Sequence, residues 1–184
     1  KKGCIGMHPT LLPKGRGRAS IPWAILKGLN KTGVTMFRLD EGVDTGDILG
    51  QVELMLDKMS NATELYNRVI DAHICLIEKY WENLVNDTIT LEPQDNSIAT
   101  QWPGRHPKDG QLKREMTVRE AERLVRAVTH PYPGAFYIED GKKIIVWSAK
   151  ISDRDSKEAY TDGFLCSDGY LIPEDWEIEE DDDN

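Results

Sequence analysis

The sequence predicts an α/β chain followed by a small antiparallel β unit with one helix, and three observations carry that expectation. Short β-branched and aromatic runs alternate with helical apolar periodicity through residues 1–87. Residues 88–104 are polar and turn-like, as in a linker. Beyond them, Asp-Gly pairs at 140–141, 162–163 and 168–169 punctuate short apolar runs, the pattern of antiparallel strands joined by tight turns. This gives a first domain over 1–87, a linker over 88–104, a second, β-rich domain over 105–173 and an acidic tail over 174–184.

The elements follow in order. Residues 3–8 (GCIGMH) read as the end of a buried strand entering a loop at Pro9. The stretch 8–18 is rich in Pro, Gly and basic residues, so it is a loop. Ser20 can cap a short helix with Pro22 in its first turn, where a missing N–H costs nothing. Val34–Leu39 and Ile48–Leu56 read as strands on either side of the acidic loop Asp40–Asp47. Asn61 and Glu64 resemble a capping box opening a helix to Val85. Its apolar residues (Leu65, Val69, Ile70, Ile77, Tyr80, Trp81 and Leu84 among them) recur at i, i+3, i+4 and i+7. His73 within it reads as a half-exposed helix residue. In the second domain Thr117 and Glu120 form a capping box before Ala121, Leu124, Val125 and Val128. The strands 135–139 and 142–151 flank the Asp140-Gly141 turn.

Composition excludes several classes. The chain has 184 residues, five Trp, six Tyr and three Phe, enough apolar area for packed cores and too much for a disordered chain. No run of about 18 apolar residues is present, so no membrane helix is expected. The three cysteines, Cys4, Cys75 and Cys166, are odd in number and far apart, which fits reduced thiols in a cytoplasmic protein. His8, His73, His106 and His130 lack metal-ligand spacing, so no metal is expected. The net charge of −9 hides a partition. Residues 1–31 carry seven basic groups and no acid, and residues 101–150 carry ten basic against six acidic groups. Residues 174–184 carry eight acids and no base, as in a solvated tail.

Two segments carry chemistry: H-P-T-L-L-P-K-G-R-G from His8 and E-G-V-D-T-G-D-I from Glu41. Alone, a His beside Pro also suits a structural role, and an acidic loop is also a solvated turn. Together, a His at a strand exit and a carboxylate from an opposing loop suit proton transfer, because the carboxylate orients the ring and stabilises its charged form. Arg16, between two glycines, can present its fork to phosphate or carboxylate. Val43-Asp44-Thr45-Gly46 also has the form of an aspartic-protease turn, but that chemistry needs two such turns and the chain has one.

Gly6-Met7-His8-Pro9-Thr10-Leu11-Leu12-Pro13-Lys14-Gly15-Arg16-Gly17 resembles the N-x-H-P-S-L-L-P-x-x-R-G motif of the folate-dependent formyltransferases, and Val43-Asp44-Thr45-Gly46 resembles their V-D-x-G motif. Arg105–Gly110, Val125-Arg126-Ala127 and Pro131–Phe136 are similar to their appended C-terminal domain, so the resemblance runs from residue 3 to about 150. It implies the C-terminal part of a Rossmann-like catalytic domain whose nucleotide-binding-like first half is not in this sequence: either the sequence is N-terminally truncated or that half is supplied elsewhere. It implies N10-formyltetrahydrofolate as donor, a primary amine as acceptor, His8 as the proton-transfer residue and Asp44 as its partner. Leu39, Asp40, Glu41, Gly42 and Val43 would line the pterin pocket. Thr10, Arg16 and Gly17 would face the acceptor, joined by Trp102 from the linker and Arg105 at the start of the second domain. The family's Asn, two places before the His, is Gly6 here. That Asn would donate to the formyl oxygen, and loss of one such donor costs roughly 10²–10³ in rate.

The charge partition favours a nucleotide-linked amino sugar as acceptor, since a diphosphate needs few cations and residues 151–184 are acidic. The alternative is methionyl-tRNA, bound along the basic stretches with the C-terminal unit as a barrel of the OB type. A third alternative is a non-catalytic relative that binds folate or nucleotide. An uncovered sheet edge would also allow a homodimer.

Overall fold

The computed structural model describes residues 3–152 and 163–179. They form two compact units. One comprises the chain up to Ser60 together with Glu64–Arg105; the other comprises Asn61–Thr63 and the chain from His106 onward.

The first unit is built on a three-stranded sheet in the order β1-β3-β4, with β1 (Ile5–His8), β3 (Lys31–Arg38) and β4 (Ile48–Met55). Both pairings are antiparallel. Parallel pairing, the mark of a Rossmann-like sheet, is confined among the described strands to β2 (Arg16–Gly17) against β5 (Gln101–Trp102). β3 is the central strand and is buried from Thr32 to Phe37. β1 is an edge, and only His8 of it is buried, so the buried strand expected at residues 3–8 is instead a half-exposed one. Between β2 and β3 lies α1 (Ser20–Leu26), which buries Ile21, Ala24 and Ile25. Its N-cap is Ala19 in the left-handed region, not Ser20, whose hydroxyl faces elsewhere.

The long helix α2 (Ala62–Asn86) buries Leu65, Val69, Ala72 and Leu76. Tyr80 lies against Gly50 of β4, where a Cβ would meet the Tyr80 ring at 2.3 Å, and this seats the helix on the sheet. His73 is half-buried, and that burial lowers its pKa.

Residues 88–104, expected as a linker, are laced into this unit. Glu92 exchanges backbone hydrogen bonds with Ile48 at 2.9 and 2.8 Å, Thr100 donates to the Pro13 carbonyl at 3.2 Å, and Arg16 donates to the Thr100 carbonyl at 2.9 Å. A two-residue strand has no readable periodicity, so polarity alone made this segment look unattached.

The second unit is a four-stranded antiparallel sheet in the order β6-β7-β9-β8, with α3 (Val118–Val128) packed on it. The strands are β6 (Ala135–Glu139), β7 (Lys142–Ser152), β8 (Phe164–Leu165) and β9 (Tyr170–Glu179). The Asp140-Gly141 and Asp168-Gly169 turns stand where expected, whereas Asp162 lies outside the described residues. The acidic tail begins later than expected. Glu174–Glu179 continue β9 and pair with β7, with Lys143 and Glu179 as both backbone partners and an ion pair. Residues 180–184 lie outside the described residues.

Candidate active site

His8 is the last residue of β1 and faces Thr35 of β3 in the antiparallel register. Thr35, fully buried, holds the loop that follows. Its Oγ1 donates to the Thr10 carbonyl at 2.7 Å and accepts from Leu12 N–H at 3.0 Å and Gln51 Nε2 at 2.8 Å. Gln51 also donates to the Leu12 carbonyl at 2.8 Å. Two strands thus fix the backbone just beyond His8, which contains the cis Leu12–Pro13 bond.

The His8 side chain is 8% exposed and contacted on both sides. Nε2 lies 2.7 Å from the Gly15 carbonyl, which can only accept, so Nε2 carries a proton. Ser20 Oγ stands 3.4 Å from the same nitrogen. Nδ1 lies 3.5 Å from Asp44 Oδ2. With an acceptor on each side, the imidazolium has a donor for both and the neutral ring for only one. The arrangement can therefore hold a proton taken from a bound acid.

Asp44 sits in the left-handed region, φ 55°. Its Oδ2 accepts from Gly17 N–H at 2.8 Å. Gly17, at φ 107°, is required here: a Cβ would come within 2.3 Å of the Trp102 carbonyl, and the bare backbone lets β2 lie against β5. Gln94 Nε2 donates to the Asp44 carbonyl at 2.9 Å and to the Gly46 carbonyl at 2.7 Å. Gln94 Oε1 accepts from Arg16 Nε at 3.1 Å and Nη2 at 2.8 Å, and Arg16 Nη2 also donates to Asn96 Oδ1 at 2.8 Å.

The remaining sequence-expected residues divide. Leu39, Asp40, Glu41, Gly42 and Val43 form one exposed loop leading into Asp44, with Leu39 50% and Val43 58% exposed. Leu39 and Val43 thus leave two apolar side chains open in the loop that ends at Asp44. Asp40 folds the loop by accepting from Thr45 Oγ1 at 2.7 Å and Gly42 N–H at 3.0 Å, and the Thr45 hydroxyl bond chiefly lowers its pKa. Thr10 is buried, and its Oγ1 has no hydrogen-bond partner among the described residues. Trp102 is buried too, its ring close enough to Gly15 that a Cβ there would meet it at 2.9 Å; burial leaves it a packing role rather than an open stacking face. Arg105 lies over Trp23, 5.1 Å from the ring centroid, and Lys27 lies 5.5 Å from the same ring. Among the described residues no three His, Cys, Asp or Glu side chains gather as a metal site. Sequence reasoning missed Gln94 and Ser20. Gln94 carried no signal, lying in a stretch read as linker; Ser20 was read as a helix cap.

Residues 1–79 match the family model described as formyl transferase, and residues 105–172 match that of the formyl transferase C-terminal domain. The chain belongs to the formyltransferase family. This formyltransferase chain is 35% identical over 193 residues to a methionyl-tRNA formyltransferase of Lachnospira eligens, an alignment covering 96% of this chain and 60% of that one. It thus spans about 60% of that relative's length. Its fold is similar to methionyl-tRNA formyltransferase from Clostridium thermocellum, at TM-score 0.70 and 24% identity over 97% of this chain and 69% of the other. It is similar as well to an N-formyltransferase from Helicobacter canadensis in complex with folinic acid and dTDP-3-aminofucose, at TM-score 0.71 and 19% identity over 91% and 64%. Among the described residues no helix is long and apolar enough to cross a membrane.

Proposed function

We propose that the protein containing this chain transfers a formyl group from N10-formyltetrahydrofolate to the primary amine of methionyl-tRNA, in the cytoplasm and without a metal. The observation that carries formyl transfer is the His8 ring held between the Gly15 carbonyl and the Asp44 carboxylate. The donor, when bound, supplies an electrophilic formyl carbon. Against it this chain sets a base and a loop. Freed from the Gly15 carbonyl, the neutral His8 ring acts as the tautomer whose one proton sits on Nδ1 toward Asp44; its bare Nε2 takes a proton from the acceptor's ammonium group, leaving the free amine to attack, and Asp44 stabilises the resulting imidazolium. The exposed Leu39–Val43 loop offers the pterin its apolar surface. Thr10, whose buried hydroxyl has no hydrogen-bond partner among the described residues, and Gly17 stand beside the pair as its acceptor-side wall.

The tRNA acceptor rests on the 35%-identical relative and on the cations Lys27 and Arg105 ranged over Trp23, the chemistry of a phosphate-rich surface. The bulges in β7 at Val146–Ala149 favour a strongly curved second unit of the OB-barrel type. The amino-sugar acceptor expected from the charge pattern is not favoured over tRNA, yet one observation keeps it as a second reading. Glu174, Asp175, Glu177 and Glu179 are exposed on β9, a fixed negative strand that repels a polyanion.

The test is tetrahydrofolate release from N10-formyltetrahydrofolate, with methionyl-tRNA and a nucleotide-linked amino sugar offered in separate assays. Release with neither acceptor overturns the enzyme reading in favour of a binding protein. His8→Ala and Asp44→Asn should each lower the rate by roughly 10²–10⁴ with the far-UV spectrum unchanged. Retained turnover in His8→Ala removes the role given to that ring.

A further inference from the structure

Asp44 is a side chain that needs outside support. Its backbone lies in the left-handed region at φ 55°, a conformation Asp tolerates better than most residues but that still costs free energy relative to the right-handed one. Its carboxylate also has to stay aimed at His8. The support comes from the stretch whose polarity resembled a linker. The Gln94 amide has two donors and one oxygen with two lone pairs, and all four are used: the donors by the Asp44 and Gly46 carbonyls, the oxygen by Arg16 Nε and Nη2. The amide can stand only one way round, because a flipped group would set its oxygen against two carbonyls. Glu cannot donate, Lys cannot accept, and Met offers volume alone, so Gln is matched to the task. Arg16 is followed directly by Gly17, whose N–H holds Asp44 Oδ2. The bonds therefore close a ring that runs from Asp44 through Gln94 and Arg16 to Gly17 and back to Asp44. The segment carrying Gln94 is pinned in turn by the Glu92–Ile48 pair.

We propose that Gln94, with Arg16 as its bracket, is a positioning residue that holds Asp44 in the rotated backbone state needed to face His8. Arg16 acts through this ring, as a clamp on the Asp44 loop, and not chiefly as a ligand for the acceptor's anion. The inference rests on the formyl-transfer reading only for its effect on rate; its structural half stands apart from it.

The two halves are tested separately. The Gly17 amide touches Asp44 and not Gln94, so its hydrogen exchange in the ¹⁵N-labelled chain reports where the Asp44 carboxylate is. Gln94→Met should speed Gly17 exchange about tenfold, the loss of roughly one hydrogen bond, and Asp44→Ala, which removes the acceptor, should do the same. Arg16→Lys keeps the charge and loses the two-pronged contact, so it should follow Gln94→Met, and it serves if Gln94→Met fails to fold. Gly17 protection that is lost in Asp44→Ala but kept in Gln94→Met and Arg16→Lys overturns the proposal. In turnover, Gln94→Met should lower kcat about tenfold with KM for the folate donor unchanged, and should cost nothing further in an Asp44→Asn background. Equal losses in both backgrounds would mean a general structural effect and would also overturn it. Absence of turnover in the unsubstituted whole protein counts against the formyl-transfer reading alone, since the amide exchange still decides whether Gln94 places Asp44.

Discussion

Gly6 stands on β1 two residues before His8, where the resemblance leads one to expect Asn, and its surroundings explain why a side chain does not simply fit. A Cβ built on Gly6 comes within 2.5 Å of Leu39 Cδ2. Leu39 has closed over the space an Asn would use, but Leu39 is half exposed and its end can swing away. Gly6→Asn alone should therefore give little, because the amide competes with Leu39 for one position. Gly6→Asn with Leu39→Ala frees the space and restores a donor toward the reacting carbonyl. A single oxyanion donor is worth roughly 10²–10³ in rate. The expected outcome is a kcat in the double variant well above that of either single one, with a raised KM for the folate donor from the lost apolar contact. A double variant no faster than Leu39→Ala would show that the oxyanion is served by another group. At this scale the sequence was most informative where chemistry and motif coincide. His8 and Asp44 were legible as a pair and lie 3.5 Å apart. Gln94 was not legible, because its importance lies in four hydrogen bonds to three residues in two distant segments, and local pattern does not record that.

At the scale of elements, α3 shows a local signal setting a local stability. Thr117 Oγ1 accepts from Glu120 N–H at 3.2 Å, and Glu120 Oε2 accepts from Thr117 N–H at 2.8 Å. The bond from Thr117 N–H, and then that from its hydroxyl, lower the pKa of Glu120 below its ordinary 4.5. A carboxylate whose folded pKa is depressed contributes stability that is present above the unfolded value and is lost as pH falls through the folded one. The capping box should thus be complete above about pH 4.5 and fail below it. Glu120→Gln should flatten this part of the acid unfolding curve, followed by circular dichroism, while Thr117→Ala should cost about 1 kcal/mol at neutral pH. Acid sensitivity unchanged in Glu120→Gln would assign the acid loss to other carboxylates. The capping box, the α2 periodicity and the Asp140-Gly141 hairpin were readable because each is encoded within a few residues. β5 and the end of β9 were not. β5 is two residues long, and β9 keeps acidic residues in a strand because its partner β7 supplies the ladder and Lys143 a counter-charge. Tertiary pairing overrode a composition that on its own reads as solvated.

Across the molecule, one surface of the first unit lacks the cover that its chemistry calls for. Beside its buried stripe, α2 carries Tyr66, Ile70, Ile74, Ile77, Trp81 and Val85, each between 40% and 56% exposed. The spacing of three and four aligns them along the helix, so α2 has two neighbouring apolar faces and the sheet takes only one. The same unit presents β1 as an edge strand with Ile5 also exposed. A solvent-facing helix stripe of this length and an open strand edge both favour association, the first by burial of apolar area and the second by completing backbone hydrogen bonds. The chain on its own should therefore self-associate as its concentration rises, the behaviour expected of a homodimer. The stripe and the edge can be told apart. Ile70→Lys with Ile77→Lys places two charges in the middle of the stripe without touching the buried residues Leu65, Val69, Ala72 and Leu76, so the fold should persist and the mass measured by light scattering should fall toward the monomer. A mass that stays high in this variant but falls when Ile5 is replaced by Pro would locate the contact at β1. A monomeric unsubstituted chain at the same concentrations would mean that neither surface is sticky enough to recruit a second copy.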